Sequence, residues 1–270
     1  MADKDDVFAG AIPRIYDSYL VPLIFEGYAQ DLAERAAALI PGSILETAAG
    51  TGVVTRALTP LLPSDARLTV TDLNQPMLDR AAAMQKPDAR ISWQQADASN
   101  LPFADGSFDV VICQFGVMFF PDKIAGYAEA KRVLKPGGAF LFNVWDRIEA
   151  NEFADEVTQA AAEVFPQNPP RFLARTPHGY HDTEVILNEV RRGGFSRVSL
   201  VTLEKISAAP TPHHAAMAYC QGTPLRNEIE ARDAGRLPAV IERAALAISQ
   251  RHGPGPVSGK IRAHIISASV

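Results

Sequence analysis

The chain has 270 residues, 47% hydrophobic and 21% charged, with a net charge of −5 and a pI near 5.7. That acidic balance excludes a surface field drawing nucleic acid or an anionic membrane onto the whole molecule. No stretch nears the roughly 18 uninterrupted apolar residues of a spanning helix, and the start, MADKDDVFAGAIPR, lacks a signal-peptide pattern. Only two cysteines occur, Cys113 and Cys220, far apart and without metal spacing, which suits a reducing compartment. The expectation is a soluble cytoplasmic enzyme built as one large domain or a domain with a cap.

In chain order the periodicity alternates. YAQDLAERAAALI (28–40) has helical spacing and stops at Pro41-Gly42, and SILETA (43–48) reads as a short buried strand. VVTRALTPLL (53–62) is helical, ARLTVTDL (66–73) strand-like and QPMLDRAAAMQ (75–85) helical. ISWQQAD (91–97) and FDVVIC (108–113) are strands. KIAGYAEAKRVL (123–134) is a helix closed by Pro136-Gly137-Gly138, and AFLFNVW (139–145) is a fifth strand. Strands alternating with helices predict a parallel sheet covered on both faces, with every strand's carboxyl end on one edge.

At that edge stand Glu46, Asp72, Asp97 and Gln114, each at or just past a strand's end. Ligands of open α/β sheets bind there, near the point where strand order reverses. In ILETAAGTGVVTRAL (44–58), Gly50 and Gly52 let backbone approach a ligand, and the following helix offers N–H groups. Asp72 lies twenty residues beyond Gly52, an offset at which a carboxylate can accept from both ribose hydroxyls. A nucleoside-containing ligand follows. A dinucleotide site asks for Gly-x-Gly-x-x-Gly, but the run from Gly50 reads G-T-G-V-V-T, with Thr55 in the third place. A nicotinamide-dependent oxidoreductase is the weaker alternative.

ILETAAGTG (44–52), VTDLNQPMLDRA (70–81), QQADASNLPFADGSFDVVICQF (94–115), AEAKRVLKPGG (128–138) and AFLFNVW (139–145) together resemble the class I S-adenosylmethionine-dependent methyltransferases. The similarity is to the small-molecule branch that includes the ubiquinone/menaquinone-biosynthesis type. It covers about residues 28–145 and resumes at RRGGFSRVSLVTL (191–203) and AHIISASV (263–270). The resemblance implies a Rossmann-like α/β fold: a seven-stranded, mostly parallel sheet with an antiparallel last strand, helices on both faces and a small helical cap. It implies one methyltransferase domain, with a cofactor-binding core at 28–146, cap segments at 1–27, 147–182 and 204–256, and 183–203 and 257–270 completing the sheet. The sequence departs from the family at Glu46, where Asp is usual, and at Ala48-Ala49, where Gly-Cys or a similar pair is usual.

The implied cofactor is S-adenosyl-L-methionine and the product S-adenosyl-L-homocysteine. Carried over, Glu46, Thr47, Ala48, Gly50, Thr51 and Gly52 would line its methionine half, Glu46 facing the ammonium. Asp72 would hold the ribose, Leu73 and Met77 would pack on the adenine, and Asp97 with Ala98 would meet its polar edge. Gln114 and Phe115 would offer backbone carbonyls near the ammonium and sulfonium, and Tyr16 and Tyr19 would fold over the cofactor. Plainer roles compete: Asp72 as a cap for the helix at Gln75, Asp97 as the opening of a turn, Met77 as core.

No dedicated catalytic motif is present. His178, His181, His213 and His214 are the candidate bases, against a default of surface or capping histidines; a zinc site lacks further ligands. QNPPRF (167–172) falls after the fifth strand rather than the fourth, where amino-methylating nucleic-acid enzymes carry such a motif, so it reads as a loop. The added segments, with Phe8, Tyr16, Tyr19 and Phe25 in the first and the helix LPAVIERAALAIS (237–249) in the last, would recognise the acceptor. The apolar stripe Leu237, Val240, Ile241, Ala244, Ala245 and Ile248 fits either a lid or a dimer contact. The expectation is methyl transfer to an O, N or C atom of a small, partly apolar metabolite, by a monomer or homodimer. A cofactor-binding protein without transfer activity is the other alternative.

Overall fold

A computed structural model describes residues 12–270; Phe8 lies outside them. The strands are β1 (Ser43–Glu46), β2 (Arg67–Asp72), β3 (Ile91–Gln95), β4 (Phe108–Gln114), β5 (Leu134–Trp145), β6 (Arg197–Ala209) and β7 (Val257–Ser269). The helices are α1 (Ile12–Ile15), α2 (Glu26–Ala37), α3 (Val53–Leu58), α4 (Gln75–Met84), α5 (Lys123–Val133), α6 (Glu152–Val164), α7 (Phe172–Arg175), α8 (Thr183–Arg192), α9 (Pro212–Gly222), α10 (Leu225–Asp233) and α11 (Leu237–His252). Tyr16–Phe25, between α1 and α2, is wound as a π-helix containing Pro22.

The seven strands form one sheet in the order β3-β2-β1-β4-β5-β7-β6. Pairings β1–β2, β1–β4, β2–β3 and β4–β5 are parallel. β7 runs antiparallel to β5: Val270 N donates to Gly138 O, and Asp146 N to Arg262 O. This is the Rossmann-like methyltransferase architecture.

The chain divides into two compact units. One comprises Glu26–Val144, His181–Leu203 and Ala263–Val270. Its core is the apolar set predicted from periodicity, with Ile44, Leu45, Val70, Val111, Ile112, Phe140 and Phe142 all buried. Two polar latches fix its loops. Asp109 accepts from the N–H groups of Gly42 and Ser43, from the Ser43 hydroxyl and from the Lys135 ammonium, tying the amino ends of β1, β4 and β5. Arg132 donates to the carbonyls of Leu101 and Phe103 and to Asp105 and Glu129. That guanidinium ties LPFADGSF to RVL, the stretch in which it lies.

Pro136-Gly137-Gly138 does not close a helix. α5 ends at Val133 and β5 begins at Leu134; Lys135–Gly138 form a bulge, Phe108 facing Leu134 and Val110 facing Ala139. Gly137, at φ +82°, supplies the left-handed residue the bulge needs.

Among the described residues the other unit comprises 12–25, Trp145–Tyr180 and Glu204–Arg262. Its centre is helical, α11 packing on α9 and α6. Val240, Ile241, Ala244, Ala245 and Ile248 of the predicted stripe are buried there, while Leu237 at its start is only half-buried. Glu152 pairs with Arg251 at 2.8 Å and Glu156 with His252 at 2.9 Å. β6 and β7 extend further than the sequence patterning indicated, to Ala209 and from Val257, and pass from one unit into the other.

Candidate active site

The chain runs outward from β1 to β2 and β3, then returns to place β4 and β5 on its other side. The switch of direction falls between β1 and β4, so the carboxyl tip of β1 is where an open α/β sheet accepts a ligand.

Glu46 ends β1 and is almost wholly buried; its Oε2 accepts from the Thr55 hydroxyl of α3 at 2.6 Å. Burial pushes its carboxyl up to about 7, against the opposing pull of the Thr55 hydrogen bond and the Arg56 charge. Asp72 ends β2 and is also buried. Its two oxygens accept from Gly50 N and Asn74 N, each at 2.7 Å. Burial again dominates and raises its carboxyl to about 6. Asp72 therefore shapes the loop after β1; its bond to Asn74 N precedes α4 rather than capping it.

That loop coils through three left-handed residues, Ala48 at φ +50°, Gly50 at +57° and Gly52 at +78°. Ala48 has a Cβ there and carries strain, a pattern that clusters at functional sites. Gly52 is required for packing as well: an added Cβ would lie 2.9 Å from Ala81 Cβ of α4. Thr47 N donates to Ile112 O and Ala49 N to Thr71 O, pinning the loop to both neighbouring strands. The Thr51 hydroxyl is buried with no hydrogen-bond partner among the described residues, and Arg56 donates to the Thr51 carbonyl at 2.5 Å.

On the other side of the switch, Gln114 ends β4 and Phe115 follows at φ +49°. Phe115 N donates to Asn143 Oδ1 at 2.8 Å and to Asn143 O at 3.2 Å. Next to it, a Cβ on Gly116 would fall 2.5 Å from Ala48 Cβ and 2.6 Å from Cys113 Sγ. The loops after β1 and β4 therefore interlock without space for a methyl group. Burial raises the Cys113 thiol to about 12, which keeps it protonated and unreactive.

Further out, Met77 is buried on α4 while the Leu73 side chain stands half exposed. Asp97 is exposed and accepts from Ser99 N at 2.8 Å, opening a turn; Ala98 is half-buried. Tyr16 and Tyr19 belong to the helical unit, where Tyr16 stacks on Phe25 and Tyr19 lies 4.9 Å from the His214 ring. His178, in the same unit, is buried with Nδ1 2.8 Å from Asp146 O, and His213 faces Glu242 at 3.4 Å. His181 begins the segment that returns to the sheet unit. Among the described residues no three His, Cys, Asp or Glu side chains gather as a metal set.

Four residues of this site escaped sequence reasoning. Thr55 carried a visible signal, an oxygen where a third glycine was sought. Arg56, Gly116 and Asn143 act through contacts between loops that only the sheet register creates.

The site's chemistry follows from its charge. Two buried carboxylates hold raised proton affinities, and the nearest cation acting on Glu46 is Arg56. Such a place binds a cation well and an anion poorly. S-adenosylmethionine carries both a sulfonium and an ammonium, and the residues present fit it; a pyrophosphate would confront the carboxylates.

Residues 45–142 match the methyltransferase domain family. A ubiquinone/menaquinone biosynthesis C-methyltransferase of Dinoroseobacter shibae is 29% identical over 214 residues, 72% of this chain and 77% of that one. Among solved structures, a putative methyltransferase of Bacillus halodurans has a TM-score of 0.59 at 20% identity, covering 89% of this chain and 97% of the other. A phosphoethanolamine N-methyltransferase of Haemonchus contortus, in complex with S-adenosylhomocysteine, has a TM-score of 0.58 at 16% identity, covering 96% and 56%. The matched domain and the methyltransferase relatives, with this fold, support a class I S-adenosylmethionine-dependent methyltransferase with S-adenosylmethionine as cofactor. Within that class the chain is similar to the ubiquinone/menaquinone C-methyltransferases.

Proposed function

We propose that the protein transfers the methyl group to a small, partly apolar metabolite. When bound, S-adenosylmethionine supplies a methyl carbon already activated by its sulfonium. Glu46 faces the ammonium of the cofactor, and the loop 47–52 wraps its amino-acid end. Asp72 retains lone pairs beyond its two backbone bonds, and these accept from the ribose hydroxyls. Met77 and Leu73 flank the adenine, while Asp97 and Ala98 meet its edge. The Gln114 and Phe115 carbonyls border the reacting end. What the chain contributes to the transfer is alignment and exclusion of water.

The observation that carries the proposal is the pair of buried, electrostatically undercompensated carboxylates at the tips of adjacent strands. Quinone-type chemistry in the relatives' names supports an acceptor with an apolar body. Calorimetric titration with S-adenosylmethionine, S-adenosylhomocysteine and NADH tests it. Binding of the first two and not the third is expected; binding of NADH alone overturns it. Tight cofactor binding with no methyl transfer across a broad acceptor panel would favour a non-catalytic binding protein.

A further inference from the structure

Gln114 and Asn143 are register partners at the carboxyl ends of β4 and β5. Paired positions in neighbouring strands place their side chains on the same face. Yet the two amides do not bond to each other: Gln114 Oε1 and Asn143 Nδ2 are both buried and without a hydrogen-bond partner among the described residues. Asn143 is fully buried, and its sense is set by chemistry, since the reverse orientation would place two N–H donors 2.8 Å apart at Phe115 N. The nitrogen is thereby turned away with its donors unused. An unused acceptor and an unused donor thus fall on paired residues of adjacent strands, and unpartnered buried polar groups are uncommon in a folded interior.

We infer that Gln114 and Asn143 form a two-amide clamp for a neutral hydroxyl group of the acceptor, a specificity element that rests on the function proposed above. Both groups are uncharged, so an ion placed there would lack a counter-charge where burial makes that costly. A hydroxyl meets both needs at one atom, donating to Gln114 Oε1 and accepting from Asn143 Nδ2. The place suits an acceptor. Sheet order runs β2, β1, β4, β5, so the clamp lies across the switch point from Asp72, the carboxylate assigned to the ribose.

The test uses Gln114→Met and Asn143→Leu beside the wild type. Calorimetry first gives the S-adenosylhomocysteine Kd of each. Ligand-observed NMR titrations of the S-adenosylhomocysteine-saturated proteins then compare phenol with anisole, and cyclohexanol with its methyl ether. Wild type should bind at least one hydroxyl compound fivefold or more tightly than its ether. Either substitution should reduce that preference below twofold; Gln114→Met, which keeps its backbone carbonyl and the Asn143–Phe115 bond, should move the S-adenosylhomocysteine Kd less than threefold. The aromatic and aliphatic arms report which hydroxyl class fits. Gln114→Met breaks no hydrogen bond of Oε1, so its Tm should not fall, and it decides the matter if Asn143→Leu fails to fold. No hydroxyl preference in the wild type overturns the clamp, as does a preference surviving both substitutions. A tenfold loss of S-adenosylhomocysteine affinity in Gln114→Met reassigns the pair to the cofactor and also overturns it. Failure of the wild type to bind S-adenosylhomocysteine sinks the proposed function itself, visible in the first step.

Discussion

Asp72 Oδ2 accepts a hydrogen bond from Gly50 N at 2.7 Å, so the tip of β2 holds the loop that follows β1. The other oxygen holds Asn74 N at the same distance. A carboxylate reserved for a ribose could be deleted with little effect on melting; this one cannot.

Asp72→Ala should therefore lower Tm at pH 5.5, because two backbone N–H groups lose their acceptor at about 1–3 kcal/mol each when buried. It should also weaken S-adenosylmethionine binding at least tenfold. Asp72→Asn keeps one acceptor oxygen and should lose less stability. Thermal melts beside calorimetry separate the two effects; an unchanged Kd in the alanine variant removes the ribose assignment.

Stability of the cofactor-free protein should fall as pH rises from about 4 to 7. Glu46 rises from its ordinary 4.5 to about 7 and Asp72 from 3.8 to about 6 on folding. Raised carboxyls bind more protons in the folded than in the unfolded state across that window. Their favourable contribution is complete below the unfolded values and lost as pH climbs through the folded ones. For Glu46 the loss is on the order of 3 kcal/mol. Glu46→Gln should flatten the pH dependence and melt higher than wild type at pH 8. Urea unfolding at pH 5 and pH 8 checks this; a wild type equally stable at both contradicts it.

Cofactor binding near pH 6.5 should release protons. A cation beside Glu46 favours the carboxylate over the acid, so a group half-protonated before binding gives up its proton. Calorimetry in two buffers of different ionisation enthalpy counts the protons. The count should approach zero above pH 8.5 and shrink in Glu46→Gln. Proton uptake at pH 6.5 would contradict the placement of Glu46 near the ammonium.

Gly116→Ala should destabilise by about 1–3 kcal/mol, since its methyl meets Ala48 Cβ and Cys113 Sγ at under 3 Å. Ala48→Gly removes one of these clashes and also frees a residue at φ +50°. The double variant should recover part of the loss, and a double-mutant cycle in denaturant measures the coupling. Purely additive changes would show that the two loops do not meet as described.

The order of elements was legible because hydrophobic period and breaker pairs mark strands and helices locally: SILE, RLTVTD and FDVVIC each became a strand. Glu46 and Asp72 were legible as strand-tip carboxylates for the same reason. The bulge at Lys135–Gly138 was not, because Pro-Gly-Gly after a helix is a stop signal unless a neighbouring strand absorbs the extra residues. Nor was the structural work of Asp72, which depends on a loop 22 residues earlier in the chain. Gln114 could be named from its place at the end of a strand, but Asn143 became visible only once β5 was set in register with β4.

Arg132 reaches back to the carbonyls of Leu101 and Phe103, joining the two stretches by which this chain is most readily recognised. Those stretches are scaffolding. A descendant that had abandoned methyl transfer would still be held to them by its need to fold, so the signature vouches for ancestry and shape.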